Sequence, residues 1–194
     1  LYSTMSQRKD REFEKRIKRL LVVFLMAVPL VTYMLNFIIE TFMVQYTPAI
    51  KVTALLFVSQ IFLCLNTAIF VNLYKVYRKQ KEYFKRLCIS IGVAVLLDGM
   101  IALLEPNTTY YSFSTLISCM IWLGLNLQYF PYLHPSRKEL CYVCSLLLLY
   151  AVAFNLPYAI KIAVYVVAYI ALTWKLMHCE WEYCKRQVIA MVKR

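Results

Sequence analysis

Glycine is scarce in this chain of 194 residues, which contains only Gly92, Gly99 and Gly124. Transporters with discontinuous helices rely on glycine at the breaks, and tightly packed membrane helices rely on it at their contacts. The two halves of the chain also share no segment interrupted by Gly or Pro, the pattern that marks the binding site of inverted-repeat transporters. These absences favour a rigid helix bundle over an inverted-repeat transporter.

The short motifs that mark common catalytic sites are missing as well. The sequence contains no HExxH, GxSxG, Walker A or GxGxxG pattern. A membrane protease that used His134 or His178 as its base would need an orienting carboxylate, and none occurs at a suitable spacing. An intramembrane enzyme is therefore the third of three function classes, and we predict no cofactor.

Acidic residues are few, since 10 Asp and Glu oppose 22 Lys and Arg and give a net charge of +12. The chain is 62% hydrophobic and 16% charged, which is more apolar and less charged than soluble domains. In a soluble protein this positive charge would indicate nucleic acid, but here it lies in short blocks between apolar runs. We predict a membrane protein whose basic residues contact anionic lipids on the cytoplasmic face, with no direct contact to nucleic acid.

Six apolar runs have roughly the 20 residues that cross about 30 Å of hydrocarbon. They are Leu20–Val44, Val52–Tyr74, Leu87–Leu104, Tyr111–Phe130, Leu140–Asn155 and Tyr158–Met177. The predicted fold class is all-α, a multi-pass transmembrane helix bundle of about six spans. Five spans and one re-entrant segment form the alternative, because the fifth run is the shortest and only Pro157 and its neighbour separate it from the sixth.

Basic residues give the predicted orientation. Twenty of the 22 Lys and Arg lie before the first run, in YKVYRKQKEYFKRL, in HPSRKEL, or around the end of the sixth run; only Lys51 and Lys161 lie elsewhere. The positive-inside rule makes those four segments and both termini cytoplasmic. We predict a basic segment 1–19, a six-span domain 20–177 in the cell membrane, and a juxtamembrane helix 178–194 that leads toward a further cytoplasmic domain.

Polar residues within the apolar runs are candidates for function because they are costly in hydrocarbon. Asp98 is the only acidic residue well inside a run, and Lys161 enters the sixth run near the same predicted outer boundary. We expect the two to pair, because pairing lowers the cost of burying both. A purely structural role, in which Asp98 ties helices together, is the leading interpretation, and a ligand or ion site and a proton relay are the alternatives. The predicted ligand-binding layer in the outer half of the bundle contains Asp98, Lys161, Asn36, Gln60, Ser118 and Tyr150.

Seven cysteines suggest disulfides or a metal, but all fall in apolar runs or on the predicted cytoplasmic side, where thiols stay reduced. The leading interpretation is that the cysteines are small apolar side chains that pack in the bundle. Palmitoylation of Cys179 or Cys184 is one alternative. The other is a tetrahedral zinc site formed by Cys141, Cys144, Cys179 and Cys184. The leading interpretation therefore includes no metal.

Tyrosines cluster near the ends of the runs, and we interpret most of them as anchors at the level of the lipid headgroups. The aromatic residues assigned to these belts are Tyr46, Tyr74, Tyr77, Tyr110, Tyr111, Tyr129, Tyr132, Trp181 and Tyr183.

The predicted architecture combines short loops, a basic N-terminal segment and a helix-compatible C-terminal segment, KLMHCEWEYCKRQVIAMVKR. In architecture it resembles the membrane sensor modules of bacterial signalling proteins such as quorum-sensing histidine kinases. The resemblance implies an integral membrane sensor or signal-transmitting module coupled to a cytoplasmic partner or effector domain, and it gives no residue a role. The alternative is a small channel or transporter subunit that forms a homo-oligomer.

Labelling of single introduced cysteines tests this topology. In a background without native cysteines, a thiol at position 107 should react with an impermeant maleimide added to intact cells, because Asn107 lies in a predicted outer loop. A thiol at Lys79 should react only after the membrane is opened. Labelling at position 79 in intact cells would contradict the predicted span count.

Overall fold

The computed structural model describes residues 11–104 and 107–177. Every regular element within these ranges is helical, so the prediction of an all-α fold is confirmed. Two 3₁₀ segments, Val44–Ala49 and Pro131–Leu133, and one π-helical segment, Asn66–Val71, connect the longer helices. The α-helices are α1 (Arg11–Leu25), α2 (Val28–Phe42), α3 (Ile50–Leu65), α4 (Asn72–Val76), α5 (Gln80–Leu104), α6 (Thr108–Tyr129), α7 (Arg137–Ala153) and α8 (Tyr158–Leu176).

Four helical segments among the described residues are long and apolar enough to cross a membrane: Arg11–Phe42, Val44–Val76, α5 and α8. The first combines α1 and α2, and the second combines the 3₁₀ segment, α3, the π-helical segment and α4. The fourth and fifth predicted spans correspond to α6 and α7. The 22 residues of α6 include Ser, Thr, Asn and Gln along its length, and α7 has only 17 residues. The structure therefore supports a membrane protein with four candidate spans.

The helices are arranged in an order that differs from their order in the chain. α5 packs on α6, α6 on α3, α3 on α2, α2 on α8, and α8 on α7. α5 consequently lies at one edge of the bundle, where Ser90 is its one buried residue. Its remaining surface exposes large apolar side chains such as Leu96 and Leu103, which suits contact with lipid.

Pro29 interrupts the first long helical segment between α1 and α2, because proline has no N–H to donate to the preceding turn. The amide N–H groups of Ala27 and Leu30 bond to carbonyls three residues back instead of four. This shift leaves the carbonyls of Val23 and Met26 without a helical donor.

Two tyrosines of α8 supply the missing donors. The hydroxyl of Tyr165 donates to the Met26 carbonyl at 2.8 Å, and that of Tyr169 donates to the Val23 carbonyl at 3.0 Å. A carbonyl in hydrocarbon without a donor costs free energy. The break at Pro29 is therefore tied to α8 by hydrogen bonds that neither helix makes alone.

A second interior network surrounds the π-helical segment. The Asn126 side-chain amide donates to Asn66 Oδ1 at 2.9 Å, and the Tyr74 hydroxyl donates to Asn126 Oδ1 at 3.1 Å. Tyr74 is only 1% exposed. Its predicted role as a headgroup anchor is therefore wrong, because its hydroxyl satisfies a buried amide between α4 and α6. Trp181 and Tyr183 lie outside the described residues.

Removal of one α8 hydroxyl tests the proline break. Tyr165→Phe leaves the Met26 carbonyl without a donor, and we expect the free energy of unfolding to fall by roughly 0.6 to 1.7 kcal/mol, the range for interhelical hydrogen bonds in membranes. The measurement is reversible unfolding of the purified protein in bicelles. Tyr46→Phe is the control, because Tyr46 is exposed. Equal effects of the two substitutions would contradict the assignment.

Candidate functional site

One face of α8 carries polar side chains along most of the length of the helix. Lys161, Tyr165, Tyr169 and Thr173 recur at intervals of four residues, which places them along one side of a helix. Lys161, Tyr165 and Thr173 are buried, and Tyr169 is partly buried against the core. We call these four residues the α8 polar face. It contacts α1, α2 and α7, and its first member, Lys161, belongs to the first of the two polar regions described next.

The first region, the Lys161 cluster, consists of Lys161, Tyr33, Tyr150 and Tyr158. Lys161 Nζ lies 3.5 Å from the ring centroid of Tyr158 and 5.3 Å from that of Tyr33. Aromatic faces attract a cation, and more strongly when water is excluded. The Tyr33 hydroxyl donates to the Tyr150 carbonyl at 3.0 Å. A lysine that is 4% exposed is thus held by rings from α2 and α8.

Asn36 lies one helical turn beyond Tyr33 on α2. It is completely buried, and neither its Oδ1 nor its Nδ2 has a hydrogen-bond partner. A buried amide in a native protein normally bonds to protein or to water. Asn36 therefore offers both a donor and an acceptor near the Lys161 cluster.

The second region, the Glu14 cluster, joins α1 to the segment before α7. The Tyr77 hydroxyl donates to Glu14 Oε1 at 3.1 Å, and the Tyr132 hydroxyl donates to Glu14 Oε2. The Arg11 guanidinium lies 5.3 Å from the Tyr132 ring centroid. Burial, together with the hydrogen bond to Glu14, raises the pKa of Tyr132 above its ordinary value.

A buried ion pair lies beside the Glu14 cluster. Lys18 Nζ is 3.0 Å from Glu139 Oε2 and donates to the Leu133 carbonyl at 2.9 Å. Arg19 Nε is 3.5 Å from the other carboxylate oxygen of Glu139. Glu139 also accepts from the Ser136 backbone N–H in a capping box that begins α7. One carboxylate thus determines both where α7 begins and how α1 packs against it.

The predicted ligand layer separates into two groups. Asp98 and Ser118 line a cleft between α5 and α6. Lys161 and Tyr150 belong to the Lys161 cluster on α8 and α7. Within the described residues no ion pair joins Asp98 to Lys161, so the expected pair is not formed. The reason is the helix order, because α5 packs on α6 whereas α8 packs between α2 and α7.

Asn36 belongs with the second group through its position on α2, and Gln60 belongs to neither. Gln60 is exposed on α3, whereas its neighbour Ser59 is buried. Equal depth along two helices does not make two residues face each other, since a shift of one position turns a side chain by about 100°.

The alternative zinc set is only partly within the described residues. Cys141 and Cys144 are exposed on α7, and Cys179, Cys184 and His178 lie outside the described ranges. In residues 11–104 and 107–177 no group of three His, Cys, Asp or Glu side chains is placed to hold a metal ion. The zinc and palmitoylation alternatives therefore stay as predictions.

Glu14 and Lys18 are site residues that the sequence analysis missed, because both lie in the segment 1–19 assigned to the basic N-terminal region. The sequence REFEKRIKRLLVVFL contains a pattern that indicates this placement. Its buried residues Glu14, Lys18, Val22 and Leu25 follow the spacing of one helix face. The two charges thus occupy the inward face of a helix that continues into the bundle.

Comparisons with family models, with curated proteins and with solved structures give no match to this chain. The features of this chain that bear on function are therefore the Lys161 cluster, the α8 polar face, the Glu14 cluster and the Lys18–Glu139 pair.

Substitution of the buried lysine tests the energetic role of this ion pair. Lys18→Met leaves the Glu139 carboxylate and the Leu133 carbonyl without their main donor. We expect a loss of roughly 3 kcal/mol in the free energy of unfolding, because removal of the buried partner leaves Glu139 with only the partly exposed Arg19 as a cationic partner. The measurement is unfolding in bicelles, compared with the wild type.

The matched control is Lys15→Met on the same helix. Lys15 forms a 2.7 Å pair with Glu12, whose side chain is largely exposed, and such surface pairs contribute little. In the double variant Lys18→Met/Glu139→Gln, removal of the charge should restore part of the stability. If Lys18→Met is as mild as Lys15→Met, the ion pair has no structural importance.

Proposed function

We propose that this chain is an integral membrane sensor or signal-transmitting module of about six spans, located in the cell membrane with both termini in the cytoplasm. In this proposal the Lys161 cluster and Asn36 form the input site near the outer boundary. α8 transmits the change to a cytoplasmic effector protein or domain. Anionic lipids contact the basic residues on the cytoplasmic side.

The observation that carries the proposal is the α8 polar face. Its first member, Lys161, is held by aromatic rings at one end of the helix. Its last member, Thr173, hydrogen-bonds the Tyr142 hydroxyl at 2.9 Å near the other end. The four polar contacts are specific in distance and direction, unlike apolar contacts. A displacement of α8 at Lys161 therefore changes hydrogen bonds along the whole helix.

The proline break between α1 and α2 is the part of the structure that a displacement of α8 would change. Tyr165 and Tyr169 bond carbonyls that Pro29 has freed from the helical ladder. Proline kinks are points where a membrane helix changes its bend. A shift of α8 would exchange these bonds and alter the angle between α1 and α2, which is the kind of two-state element that coupling between sites requires.

The distribution of charge supports the proposed orientation. Arg11, Lys18 and Arg19 lie with the Glu14 cluster and the Lys18–Glu139 pair, near HPSRKEL, whereas Lys161 lies near the opposite end of α8. An excess of Lys and Arg on one side is the positive-inside pattern. The short α7 can still cross, because bilayers thin locally around short helices at modest cost.

The test measures whether a change at Lys161 reaches the far end of α8. A reporter cysteine replaces Lys175, which is exposed near that end, in a background without native cysteines. The readout is the rate of alkylation in inverted membrane vesicles. We expect Lys161→Met to change this rate about fivefold, the lower end of typical coupling between sites.

Lys51→Met is the matched control, because Lys51 is the other lysine on the predicted outer side and its side chain is exposed. It should leave the rate at position 175 unchanged. In the background Tyr165→Phe/Tyr169→Phe, the effect of Lys161→Met should disappear. Equal effects of the two lysine substitutions would contradict transmission through α8, and ion flux through liposomes that contain only this protein would favour the channel alternative.

A further inference from the structure

A cleft of about 220 Å³ lies between α5 and α6, away from the α8 polar face. Asp98 of α5 lines it from one side. Ser114, Ser118 and Trp122 of α6 line it from the other, at intervals of four residues that place them along one side of the helix. The proposed function uses none of these four residues, so the inference below is independent of it.

Four polar atoms that line this cleft lack partners, whereas the hydroxyls of Ser90 and Thr115, which also line it, donate to backbone carbonyls. Asp98 Oδ1, Ser114 Oγ, Ser118 Oγ and Trp122 Nε1 are all buried without a hydrogen bond. Ser114 is 2% exposed, Trp122 6% and Ser118 7%. Each such group costs free energy unless something satisfies it. Four of them around one cavity indicate a ligand that accepts and donates there.

The two serines differ from five other hydroxyl residues in these helices. Serine and threonine in a helix usually donate to the carbonyl four residues earlier. Side chains that do so here are Thr32, Ser59, Thr67, Ser112 and Thr115. Ser114 and Ser118 make no such bond, so their oxygen lone pairs are available to the cleft.

The charge of Asp98 also lacks a counterpart. Among the described residues no Lys, Arg or His forms an ion pair with it. A carboxylate within an apolar helix is costly unless a partner balances its charge. A metal cation would balance this charge and would also use both serine oxygens.

We propose that the Asp98 cleft binds a monovalent metal cation of the Na⁺ type, with Asp98, Ser114 and Ser118 as oxygen ligands. Hard cations prefer carboxylate, hydroxyl and water oxygens. The cleft is larger than a bare ion, so water completes the coordination shell and one of these waters accepts from the Trp122 N–H. The single carboxylate balances one positive charge, whereas Ca²⁺ sites generally combine several carboxylate and carbonyl oxygens.

The experiment measures unfolding of the purified full chain in bicelles while Na⁺ replaces N-methylglucamine at constant ionic strength and pH. Na⁺ should raise the folding equilibrium constant in a saturable manner, by about 100-fold at a concentration 100 times the dissociation constant. Asp98→Asn should abolish the response. A wild-type protein that does not respond to Na⁺ overturns the proposal.

Ser118→Ala keeps the charge of Asp98 and serves if Asp98→Asn does not fold. It should raise the half-saturating Na⁺ concentration about tenfold, the effect of removing one ligand to a charged group. Ser112→Ala is the matched control on the same helix, because the Ser112 hydroxyl already donates to the Thr108 carbonyl. An unchanged half-saturation in Ser118→Ala, or an equal shift in Ser112→Ala, also overturns the proposal.

Discussion

Every backbone carbonyl in hydrocarbon needs a hydrogen-bond donor, and this requirement determines how the helices of this structure are placed. Pro29 breaks the helical ladder between α1 and α2, and the freed carbonyls of Val23 and Met26 need donors that no water supplies. Tyr165 and Tyr169 of α8 provide them. These bonds place the last described helix against the first, although they are distant in sequence, and α7 follows because it packs on α8.

Charge is buried in a different way at the two ends of this assembly. Near the Glu14 cluster, Lys18 and Glu139 neutralise each other, and the backbone of the loop before α7 takes part in the network. Near the opposite end of α8, Lys161 has aromatic rings around it. Rings attract a cation more weakly than a carboxylate does once desolvation is complete. The Lys18–Glu139 pair is therefore a direct contact between opposite charges, whereas Lys161 lies against rings and interacts with the Glu40 carboxylate at longer range.

Composition and periodicity were enough to predict the all-α fold and most helix limits, such as Tyr158–Met177 for α8 (Tyr158–Leu176). They were not enough to predict which helices are neighbours. The expected pair of Asp98 and Lys161 required α5 beside α8, and side-by-side order depends on packing that hydropathy does not encode. Tyr74 was misjudged for a related reason, since a ring near the end of an apolar run suits either a headgroup or a buried amide such as that of Asn126.

Because α5 lies at the edge of the bundle, its tilt depends on the thickness of the bilayer. α5 has 25 residues, of which the apolar run Leu87–Leu104 is roughly 27 Å long at 1.5 Å per residue, against about 30 Å of hydrocarbon. A helix held on one side only follows a change in bilayer thickness by altering its tilt, at a small cost per ångström. Because α6 is the long helix against which α5 packs, a thinner or thicker bilayer would change the α5–α6 crossing angle before it disturbed the rest of the bundle.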